Sequence, residues 1–62
     1  MIKDISIYYK NEDLKERAVV KFDTETTEFY VDYYDKDQNI FYTEFFEGKS
    51  VHFIEDAAEN WA

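Results

Sequence analysis

Apolar residues recur at every second position through most of the chain, then switch to helical spacing near its end. In "IKDISIYYK" the residues Ile5, Ile7 and Tyr9 share one face, and in "RAVVKFD" Ala18, Val20 and Phe22 do the same. "EFYVDYY" aligns Phe29, Val31 and Tyr33, and "IFYTEFF" aligns Phe41, Thr43 and Phe45. Four strands follow, joined by "NEDLKE", "TETT" and "DKDQN", clusters rich in the turn formers Asn, Asp and Thr. Short connections favour antiparallel neighbours, so the expected sheet is a meander in the order β1-β2-β3-β4. In the expected register Tyr9 lies opposite Ala18, Phe22 faces Phe29, Tyr33 faces Phe41 and Phe29 faces Phe45.

After Gly48 the spacing changes. In "SVHFIEDAAENWA" the residues Val51, Ile54, Ala58 and Trp61 fall on one helical stripe flanked by Ala57. Ser50 is placed to cap the first turn, and Glu55 and Asp56 are placed early enough to favour the positive end of the helix dipole. Gly48 supplies the corner between strand and helix. The expectation is one α+β domain over residues 1–62: a four-stranded antiparallel sheet with a single C-terminal helix packed on one face.

That register turns Tyr8, Val19, Tyr30, Tyr34, Ile40, Tyr42 and Phe46 away from the helix, with Lys21, Asp32 and Glu44 among them. Tyrosine combines contact area with a polar tip, so such a face suits protein–protein contact. The last strand is also expected at a sheet edge, open to pairing with a copy or a partner strand.

Charge changes the picture further. The chain carries 15 acidic and 7 basic residues, a formal net charge of −8. Residues 1–22 hold five basic and four acidic residues, whereas residues 23–62 hold two and eleven. Phosphate binding needs clustered Lys and Arg, so no direct contact with nucleic acid is expected. A basic protein surface is the complementary partner. Six Phe, six Tyr and one Trp separate the chain from disordered acidic tails. No apolar run approaches a membrane span or the core of a signal peptide, so no membrane partner is expected and the expected location is cytoplasmic. There is no cysteine to form a disulfide or a thiolate.

Two patterns raise metal chemistry. Asp35, Asp37 and Asn39 have the D-x-D-x-N spacing of a calcium loop. An EF-hand then needs Gly at position six and Glu at position twelve, where this chain has Ile40 and Phe46. The cluster reads better as a hairpin turn. His52, Glu55 and Asp56 share one side of the helix, but helical carboxylate metal centres draw ligands from several helices. With Ser6 and Ser50 the only serines, and no Gly-rich phosphate loop, neither catalysis nor a cofactor nor a metal is expected.

The small size, acidity, aromatic content and the "EDAAENW" segment resemble small acidic proteins encoded by bacteriophages. The resemblance implies a protein that occupies a basic surface of a host protein, sometimes as a mimic of DNA. The residues expected to make contact are Tyr30, Tyr34 and Tyr42 for area, and Asp32, Glu44, Glu47, Glu55, Asp56 and Glu59 for charge. The rival expectation is a structural homo-oligomer, a dimer with the tyrosine face buried against its mate.

Overall fold

The computed structural model describes residues 1–12 and 14–62; Asp13, read above as part of the first loop, lies outside the described residues. Strands β1 (Ile2–Tyr9), β2 (Arg17–Asp23), β3 (Glu28–Tyr34) and β4 (Ile40–Phe46) form one antiparallel sheet in meander order, followed by helix α1 (Val51–Trp61).

The central hairpin has the register its alternation dictates: Ala18 pairs with Tyr33, Val20 with Val31, and Phe22 with Phe29. Its turn is built from Asp23, whose Oδ1 accepts from the Glu25 N–H at 2.9 Å and whose carbonyl accepts from the Thr27 N–H at 2.8 Å. Thr27 takes a left-handed φ of 57° to close it.

The third hairpin turns on Asp35. Asp35 Oδ1 accepts from the N–H groups of Asp37 and Asn39 at 2.9 and 3.0 Å, so this carboxylate is engaged in shaping the turn. Gln38, at φ 69°, occupies the left-handed position, and its N–H donates to the Asp35 carbonyl at 3.1 Å.

The edge strands depart from the expected parity. In β1 the register shifts between Asp4 and Ser6: Asp4 pairs with Lys21, but Ser6 pairs with Val20 and Tyr8 with Ala18. In β4 the turn sets Tyr34 opposite Ile40, as expected, and then Phe41 is inserted so that Tyr33 pairs with Tyr42 and Phe29 with Phe46. A bulge adds one residue, and one residue reverses every later side chain. Ile7, Tyr9, Thr43 and Phe45 therefore point away from the helix, while Tyr8, Tyr42, Glu44 and Phe46 point toward its side of the sheet.

Helix α1 packs on that second side, over β2 and against β3 and β1. Ile54 and Ala58 are fully buried against Ala18, Val20, Val31 and Tyr33, with Tyr8, Phe29, Phe46 and Trp61 around them. Ser50 caps the helix, its hydroxyl oxygen accepting from the Phe53 N–H at 3.2 Å, and Gly48 turns the corner at φ 72°. The first helical turn holds no acidic residue, so the dipole benefit expected of Glu55 and Asp56 falls away. No helix is long and apolar enough to cross a membrane among the described residues.

Candidate interaction surface

The sheet face opposite the helix is laid out in cross-strand rows. Asp4, Lys21, Tyr30 and Phe45 form one row; Ile7, Val19, Asp32 and Thr43 the next; Tyr9, Arg17, Tyr34 and Ile40 the third. Ile2, Asp23 and Glu28 close the row at the other end.

A polar network holds the centre. Lys21 Nζ lies 2.8 Å from Asp32 Oδ2 and donates to the Tyr34 hydroxyl at 2.7 Å, while Thr43 Oγ1 donates to Asp32 Oδ1 at 2.6 Å. Arg17 lies over the Tyr34 ring, 4.0 Å from its centroid, and donates from Nη1 to Gln38 Oε1 at 2.7 Å. Burial alone would lower the Lys21 pKa, but the hydrogen bonds to Asp32 and Tyr34 and the Asp32 charge outweigh it, so the ammonium is held above the usual lysine value. Asp32 is only 5% exposed although no element covers this face. Its neighbours wall it in, and every buried side-chain nitrogen and oxygen among the described residues has a hydrogen-bond partner.

Around that centre the face is apolar and uncovered. Ile7 is 44% and Phe45 63% exposed, and Ile2, Tyr9 and Ile40 are also exposed. Tyr30 leans on Phe45 with ring centroids 5.2 Å apart. Its hydroxyl is pushed above the usual tyrosine value, first by burial and then by the charge of Asp32, with Asp23 and Asp4 adding and Lys21 opposing. One end of the face is thus acidic. It continues into a cleft of about 530 Å³ between the β2–β3 turn and the β4–α1 corner, floored by Phe29, Phe45 and Phe46 and rimmed by Glu28, Glu47 and Lys49.

The expected contact residues divide between the layers. Tyr30, Asp32 and Tyr34 do share the open face, but Asp32 is engaged by Lys21 and Thr43 and has little surface to offer. Tyr42 and Glu44 lie on the helix side, Tyr42 stacked on Tyr33 with centroids 5.6 Å apart and Glu44 Oε1 accepting from the Tyr33 hydroxyl at 3.2 Å. The bulge at Phe41 is the reason. Glu55 accepts from the Ser6 hydroxyl and is half-buried, so it belongs to the packing of α1 on β1. Glu47 sits at the cleft, and Asp56 and Glu59 are exposed on the helix, in the layer opposite the open face. His52 is exposed, its Nδ1 4.0 Å from Glu55 Oε1.

Ile7, Phe45, Asp4, Asp23 and Glu28 belong to the face but were not among the expected contacts. The available signal was that β1 and β4 carry large apolar residues at both parities, the pattern of strands buried on two faces.

Comparison of the chain with protein-family models, with curated proteins and with solved structures returned no match.

Proposed function

We propose that the protein is a non-enzymatic interaction module whose open sheet face docks on a basic surface of a partner protein. One observation carries this reading. Strand β1 turns its more apolar parity outward, Ile7 and Tyr9 rather than Ser6 and Tyr8, and β4 leaves Ile40 and Phe45 on the same uncovered face. A lone domain gains by turning the larger apolar set toward its own helix, so the inverted choice suits a second cover. The central Lys21–Asp32–Thr43 network is already satisfied and needs little rearrangement on docking, which lowers the ordering cost. Asp4, Asp23 and Glu28 at one end would steer a basic partner and favour its orientation.

The test is binding of purified candidate partners at low and high salt, comparing the native chain with I7S/F45S. Basic partners that dissociate as salt rises, and that the double variant no longer holds, support the proposal. Partners that are neither basic nor salt-sensitive, or that bind I7S/F45S equally, contradict it. Sedimentation of the same pair separates the rival reading, in which the face is buried against a second copy: a dimer that the double variant abolishes would replace the external partner.

A further inference from the structure

Helix α1 leaves part of its own side of the sheet bare. It lies over β2 and reaches β1 and β3, while β4 is left largely uncovered. Strands are spaced about 4.8 Å apart, so β4 lies about 10 Å from β2, close to the 8–10 Å at which two helices pack side by side. The bare strip therefore has the dimensions for one more helix in the same layer.

The strip is a groove with a floor and one wall, open along the free edge of β4. Its floor is Tyr42, Glu44 and Phe46 on β4, its wall is the i, i+4 stripe Phe53, Ala57 and Trp61 on α1, and the Phe41 ring, 6.3 Å from Trp61, bounds one end. Phe46 and Phe53 meet at 6.2 Å, and Trp61 closes on Tyr33 at 5.0 Å. Tyr42 is 54% and Phe53 50% exposed, so the aromatic lining is open to a ligand. Ala57, between the two large rings, leaves the middle of the wall low.

At mid-channel stands a carboxylate. Glu44 occupies the row of Ser6, Val20 and Val31, the row that carries the core, and is half-buried. It accepts from the Tyr33 hydroxyl and has no ion-pair partner among the described residues. Cations stand toward the ends: Lys10 over Trp61 at 4.5 Å and Lys49 over Phe53 at 5.0 Å. The middle has the negative charge and lacks its complement.

We propose that this channel receives one amphipathic helix of a partner protein, with an arginine or lysine of its apolar stripe seated on Glu44. The flanking aromatic rings would hold the stem and face of that side chain, and the carboxylate would take its charge-assisted hydrogen bonds. A second copy's α1 is excluded on charge: it carries Glu55, Asp56 and Glu59 and no Lys or Arg. This site lies on the layer opposite the open face and rests on the preceding reading only in taking the partner to be a basic protein.

The experiment is a titration of the isotopically labelled chain with an amphipathic helical peptide of about 15 residues, long enough to hold a helix. The peptide carries a leucine stripe with one central arginine; its control carries citrulline there. The expected result is amide and indole shifts at Glu44, Ala57 and Trp61, with affinity falling about ten-fold for the citrulline peptide or for Glu44→Gln. Ala57→Leu, filling the channel, abolishes binding, while I7S/F45S binds the arginine peptide as the native chain does. Shifts confined to Ile7, Tyr30 and Thr43, equal affinity for both peptides, or no binding at about millimolar peptide would each overturn the channel. If, in addition, a basic partner is still held by Glu44→Gln and Ala57→Leu but lost by I7S/F45S, the open face stands and the channel alone fails.

Discussion

The central hairpin and the two edge strands are made of similar residues but put them to different use. In β2 and β3, Ala18, Val19, Val20, Val31 and Tyr33 are all buried. In β1 and β4, Ile2, Ile7, Tyr9, Ile40, Tyr42 and Phe45 remain exposed. Position in the sheet decides this, because a central strand is flanked on both sides and an edge strand on one. The bulges complete the division. Each lies in an edge strand, and each turns apolar side chains toward a surface the chain does not cover. Stability is thus concentrated in the centre and under the helix, and binding capacity at the margins.

The division is broken most directly in the core. Ile54→Ala or Val31→Ala removes a fully buried side chain and is expected to cost about 2–4 kcal/mol, against about 1 kcal/mol for Ile7→Ala at the edge. A domain of this size has about 3–9 kcal/mol in total, so the core variants should shift the urea midpoint far more. Near-equal shifts would mean that the edges carry the fold.

Next comes the open-face network. Asp32→Ala leaves the Lys21 ammonium without its carboxylate and is expected to cost about 3 kcal/mol, whereas replacing both together as K21M/D32L should recover most of that loss. Urea unfolding of the two variants measures the difference. A single variant as stable as the native chain would show that the pair is solvent-screened.

The effect of base is smaller but has a defined window. Burial, then the Glu44 charge and hydrogen bond, push the Tyr33 hydroxyl up from 10.0 to about 12. A raised folded-state value stabilises the fold fully below the unfolded value and loses that contribution as pH rises through the folded one. Stability should therefore fall between about pH 10 and 12, with Lys21 and Tyr30, also raised, contributing in the same sense. Tyr33→Phe should flatten the profile measured by chemical unfolding; an unchanged slope would remove Tyr33 from it.

Smallest of all, Thr27→Gly should stabilise the chain by about 0.5–1 kcal/mol, since a β-branched residue at φ 57° is strained where glycine is not. A rise in the thermal midpoint checks it.

The meander, the central register, the Ser50 cap and the helical stripe were legible because each has a local signature in residue type or period. The parity of the edges was not. Neither Ile5 nor Phe41 is glycine or otherwise marks a bulge, and "ISIYY" and "IFYTEFF" are apolar enough at both parities to fit either face. Choosing the more apolar set as inward assumes that the chain buries its own best surface; β1 does the reverse, and β4 divides its aromatics between the two faces. The same assumption hid the channel, because it placed Glu44 outside.

The direction of the Phe45 side chain decides which face β4 presents, and side-chain proton contacts measured by NMR read it directly. Contacts from the Phe45 ring to Tyr30, with Tyr42 contacting Tyr33 and no Phe45 contact to any residue of α1, are the predicted result. Contacts from Phe45 to Phe29 and the helix, with no contact between Tyr42 and Tyr33, would contradict it.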